Sequence, residues 1–169
     1  AWRLLPRLSG HLAAAGERAH PLAAMVAVLR DANHLRALGF LSLVVFASFM
    51  VIPYITIYIV GNVKVAQAEI PLIYLFGGVA SFFSARWIGR MADRHGKVRV
   101  YRWVAVGSIL PLLLVTHLAP APLAVVLAAT TLFFVLVPGR MVPAMAIVTS
   151  AAQPALRGTF LAINAAVLQ

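Results

Sequence analysis

The 24 residues from Ala37 to Val60 carry no charge, and this run restricts the fold more than any other feature of the chain. As a helix it extends about 36 Å at 1.5 Å per residue, enough to cross a hydrocarbon core of about 30 Å with some tilt. Further apolar runs follow at Ile70 to Ile88, from near Arg102 to Leu118, and from Ala121 to about Thr149. Another begins at Thr159. Charged residues make up 11% of the chain and hydrophobic ones 63%, whereas soluble domains are about 25% charged. A water-facing fold would have almost nothing polar to present. The expectation is an all-α polytopic membrane helix bundle. It has four full transmembrane helices and a truncated fifth, preceded by a cytoplasmic connector helix.

The formal net charge is +10, a balance that often marks nucleic-acid binding. Here the cations sit in short segments between apolar runs and form no separate patch, so nucleic acid is set aside. Twelve of the fourteen Lys and Arg fall before the first run, between the second and third, or before the fifth. Lys64 alone falls on the other side, and Arg140 lies inside a run. The positive-inside rule makes the twelve-cation side cytoplasmic, placing residues 1–36 and 89–102 there, in a multi-pass cell membrane protein.

Residues 1–36 read as a cytoplasmic connector. Pro21 is placed to start a helix, and Leu22, Met25 and Leu29 recur at helical spacing, with Arg30 and Asp31 off that stripe. This segment suits an amphipathic helix on the membrane surface, or an ordinary helix packed on its neighbours. Residues 37–169 read as the membrane bundle. The chain has no initiator Met and stops at Gln169 inside an apolar run, so a piece of a longer protein is expected. No cysteines are present, which removes disulfides and thiol chemistry. The histidines are not spaced as metal ligands and no serine–histidine–acid set can be assembled, so neither a cofactor nor an enzyme is expected.

Within the runs, Pro53 is expected to kink the first. Phe46, Met50, Tyr54 and Tyr58 fall four apart, the spacing of one helix face, and suit either a substrate path or packing. Gly77, Ser81 and Ala85 form a small-residue stripe that lets two helices approach closely. Arg140 interrupts the fourth run. A cation at mid-helix costs about 2.5–3.5 kcal/mol on insertion scales, so it faces a cavity or partner, or else snorkels to the headgroups. Asn164, in the last run, completes the candidate cavity set.

The charge-dense stretch between the second and third runs reads Gly89-Arg90-Met91-Ala92-Asp93-Arg94-His95-Gly96-Lys97-Val98-Arg99. It resembles the signature loop of the major facilitator superfamily, with His95 for the usual aromatic and Lys97 for the usual arginine. The approach from Ile70 to Gly78 and the later Pro154 to Phe160 look like the second half of drug and sugar efflux members. The resemblance implies that the chain holds the central loop, helices seven to ten and the start of helix eleven. It also implies proton-coupled efflux of a small organic solute by alternating access. The partners implied are a missing N-terminal six-helix half, the solute, protons and membrane lipids.

Gly89, Arg90, Asp93, Arg94, Gly96 and Lys97 would then form a conformational latch. The two glycines permit tight turns at helix ends, and Asp93 accepts hydrogen bonds from the opposite half. The competing reading pairs Asp93 with Arg90 or Arg94 at the surface. Arg140-Met141-Val142-Pro143 loosely resembles the arginine motif of helix four that is associated with proton coupling, although Pro143 stands where a small flexible residue is usual. The alternative function is a non-transporting membrane scaffold or sensor whose basic loops bind a partner or anionic lipid. A small four-helix multidrug pump would need a carboxylate inside a run, and this chain has none there.

Overall fold

A computed structural model describes residues 21–168, and those residues are predominantly helical, with no strand among them. The short helix α1 spans Pro21–Arg30. Four long rods follow: α2 (Ala32–Val63), α3 (Gln67–His95), α4 (Lys97–Thr116) and α5 (Leu123–Ala151). Each is long and apolar enough to cross a membrane. The last helix, α6, spans Arg157–Val167. The part of the expected connector before Pro21 lies outside the described residues.

In the four rods only 11 to 33% of the apolar window is buried within the protein. Many of their Leu, Ile, Val and Phe side chains are therefore exposed, which costs nothing only where the surrounding medium is itself hydrocarbon. This arrangement fits a multi-pass membrane protein.

The rods pack around α5, which touches α2, α3 and α4. Its first half meets α3 most closely, because Gly77 presents no Cβ where the Phe134 ring lies. Ser81, one turn along, donates a hydrogen bond to the Phe134 carbonyl. The small-residue stripe thus acts in packing. Toward the Lys64 end the core comprises Ile59, Ile73, Val126 and Phe133, among others. Toward the opposite end, one cluster joins Leu41, Val148 and Phe160, and another joins Ile88, Ala92, Val100 and Val104.

Prolines set the breaks. Pro53 has no N–H for the helical ladder, and α2 passes through a turn at Met50–Val51 and a 3₁₀ segment at Ile52–Tyr54 before resuming. It ends in a π-turn, capped by Lys64 in the left-handed region at φ 64°. α5 tightens into a 3₁₀ turn at Pro138–Arg140. In α1 the buried residue is Val28, whereas the expected stripe of Leu22, Met25 and Leu29 faces outward. Lys64 lies just before α3 and Asp93 in its last turn, and the helix between Ile70 and Asp93 rises about 35 Å at 1.5 Å per residue.

Candidate functional site

The charge-dense stretch is not a loop. α3 continues unbroken through Gly89 and Asp93 to His95, and α4 starts at Lys97, so the connection is the single residue Gly96. Nothing from Gly89 to His95 obliges the chain to leave the helix. Arg, Met and Ala are strong helix formers, and one interior glycine is tolerated. The charges fall within the helix and do not mark where it stops. The turn expected at Gly89 is therefore corrected: this glycine sits mid-helix, and a Cβ there would lie 3.8 Å from Val142 Cγ1, an ordinary contact. Gly96 does turn the chain, at φ 91°.

Helical continuation sorts the motif onto faces. Arg86, Arg90 and Arg94 fall four apart and are exposed, while Ile88 and Ala92 are buried on the other side. Asp93 is exposed. No base lies within 4.0 Å of it among the described residues, where the one acid–base contact is that of Asp31 with His34. The expected surface pairing of Asp93 with Arg90 or Arg94 does not form. Lys97 Nζ instead reaches Ser150 Oγ, tying the start of α4 to the end of α5. Asp93, Gly96, Lys97 and Arg99 rim an open concavity of about 630 Å³ floored by Ile147 and Ser150.

At the same end lies a polar clasp that the sequence reading missed. Asp31 is the N-cap of α2, its Oδ1 accepting from the backbone N–H of Asn33 at 2.8 Å and of His34 at 2.9 Å. Gln153 Nε2 donates to Asp31 Oδ2 at 2.6 Å, and Gln153 N–H donates to His34 Nε2 at 3.2 Å. Asn33 Nδ2 donates to the Ala151 carbonyl. His34 is fully buried and its ring stacks on Phe160 of α6, centroids 4.7 Å apart. Five side chains so hold α2, the end of α5 and α6 together. The His34 amide bond, foremost, holds the Asp31 carboxyl below the ordinary carboxylate range; the Asn33 amide, the His34 ring and Gln153 act the same way against some desolvation. An Asp immediately before an apolar run is an N-cap signal; its contacts with Gln153 are 122 residues distant and leave no local trace.

Arg140 closes the 3₁₀ turn of α5, and its side chain crosses to α2. Nη2 donates to Ser48 Oγ at 3.0 Å, and Ser48 Oγ in turn donates to the Val44 carbonyl at 2.8 Å. Arg140 Nε is buried with no acceptor. The guanidinium is thus engaged between two rods.

The other candidates do not join it. Tyr54 points outward at 64% exposure, as do Phe46 and Met50. Tyr58 is half-buried and donates at 3.4 Å to the Leu118 carbonyl. Both tyrosines border a separate cavity of about 150 Å³ between α2 and α4. Asn164 is buried in α6, one turn beyond Phe160, and its Oδ1 has no partner. No hydrogen bond links Arg140 to Tyr54, Tyr58 or Asn164 among the described residues. The candidates form three places, not one site.

Comparison of the chain with models of known protein families, with curated proteins and with solved structures finds no match in any of the three.

Proposed function

We propose that this chain is part of a secondary active transporter of the major facilitator type, exporting a small organic solute against protons by alternating access in a cell membrane. The observation that carries the reading is the unpaired Asp93 carboxylate beside the Gly96 turn, amid exposed arginines, at the end of a rod long and apolar enough to span a bilayer. A carboxylate that ignores its own arginines is available to a second body. In alternating access, two bundles rock about a site near mid-depth and need contacts at their ends that make and break. The second body proposed is a six-helix half of the same protein. Lys97, the first residue of α4, reaches Ser150 at the end of α5 beside this turn.

The exposed row Arg86, Arg90 and Arg94, with Trp87 beside it, favours a second reading, a scaffold or sensor whose basic end rests on anionic lipid. One substitution separates them. Asp93→Asn in the full-length protein, reconstituted in vesicles, is expected to abolish solute flux while expression and folding persist. Unchanged flux in this variant would sink the latch, and lipid binding that survives in a protein with no flux at all would favour the scaffold.

A further inference from the structure

Arg140 and Ser48 can be placed in depth along two independent rods. Ser48 stands 16 residues from Ala32 and 15 from Val63, the middle of α2. Arg140 stands 17 residues from Leu123 and 11 from Ala151, about 26 and 16 Å from the two ends of α5. The contact between them therefore lies well inside both rods, away from the ends of either.

A guanidinium has five N–H donors and one positive charge. Ser48 occupies one donor and, being neutral, offsets none of the charge. The Nε–H is buried and has nothing to donate to. The chain cannot supply the counter-charge from within its spans. Its four carboxylates are Glu17, Asp31, Glu69 and Asp93, all outside the apolar runs. Asp31 caps α2, Glu69 lies in the 3₁₀ turn that opens α3 and accepts from Ala66 N–H, and Asp93 is in the last turn of α3.

We propose that Arg140, steadied by Ser48, is an anion-binding residue, and that one carboxylate from outside these 169 residues binds its guanidinium. A carboxylate fits the guanidinium because it can take hydrogens from both Nη atoms together in bidentate geometry, the Nε edge being covered by the chain itself. It also balances the charge: a monoanion neutralises the site, whereas a dianion such as phosphate would leave an excess negative charge at the same depth. The carboxylate belongs either to the transported solute or to another segment of the full-length protein. The first source rests on the transporter reading above.

The test is thermal unfolding of the full-length protein in detergent, with sodium benzoate as probe and benzamide as its neutral isostere. A solute source predicts that benzoate raises the melting temperature, that benzamide does not, and that Arg140→Gln loses the shift. Ser48→Ala, which keeps the charge, is expected to diminish the shift, and it serves where the arginine variant folds poorly. A source within the polypeptide predicts no benzoate shift, destabilisation by Arg140→Gln, and recovery when one membrane-embedded Asp or Glu elsewhere in the protein is also neutralised. Absence of both the shift and the recovery overturns the proposal. Asp93→Asn should keep the benzoate shift, so failure of the latch and failure of the anion site are read separately.

Discussion

The hydroxyl of Ser81 donates at 2.9 Å to the carbonyl of Phe134, the carbonyl that Pro138 leaves without its helical partner four residues on. A proline in one rod is thus made tolerable by a serine in the next. In hydrocarbon no water can take over the freed carbonyl, so a neighbouring hydroxyl must.

Ser81→Ala should therefore destabilise the bundle by about 1 kcal/mol, measured by thermal unfolding in detergent. Pro138→Ala restores an N–H to the Phe134 carbonyl. In that background Ser81→Ala should cost clearly less, and a double-mutant cycle showing no coupling between the two positions would contradict the assignment.

The same pair of rods makes a sharper steric prediction. A Cβ at Gly77 would lie 2.5 Å from Phe134 Cδ2 and 2.8 Å from Cγ, whereas one at Gly78 would meet nothing within 4 Å. Gly77→Ala should lose about 1–3 kcal/mol through overpacking. Gly78→Ala should be neutral or mildly stabilising, since alanine is the better helix former. Phe134→Leu should recover part of the Gly77→Ala loss. Equal melting temperatures for the two glycine variants would mean that α3 and α5 do not pack at this register.

These rods were readable because an apolar run with proline breaks leaves few alternatives. The irregularities at Pro53 and at Pro138–Arg140 fall where missing N–H groups place them. The stripe at Gly77 and Ser81 was readable as packing. The stretch Gly89 to His95 was not readable as helix, because its charges obscured that its residues are good helix formers. The depth of Arg140 could not be read either, since the fourth run exceeds a bilayer and several registers fit it. Its partner Ser48 lies 92 residues away, and hydropathy patterns carry no information about such pairs. The clasp at His34 was missed for the same reason.

The two motif glycines should respond differently to substitution. Gly96 turns the chain at φ 91°, a conformation that side chains with a Cβ rarely adopt, and Gly96→Ala should cost about 1–3 kcal/mol. Gly89 is helical, with only an ordinary contact at 3.8 Å, so Gly89→Ala should leave the melting temperature nearly unchanged. A large loss at Gly89 and none at Gly96 would restore the loop that the structure replaces with helix.

The clasp should open in acid, and the sign follows from Asp31. The His34 and Asn33 amides, with Gln153, favour the charged carboxylate, so its folded pKa lies below the unfolded one. The stability this contributes is fully present above the unfolded value of about 3.9 and is lost as pH falls through the lower folded value. Because the chain contains no cysteine, Val28→Cys offers a clean reporter in α1, at a position with no exposure. Deuterium uptake across α1 and α6, and access to the Val28→Cys thiol after acid pulses, should both rise as pH drops below about 4. Asp31→Asn keeps an oxygen to accept from the two backbone amides and removes the titrating charge, so the acid-dependent part of the opening should vanish. Persistence of the same acid response in Asp31→Asn would transfer the effect to another group and detach the clasp from Asp31.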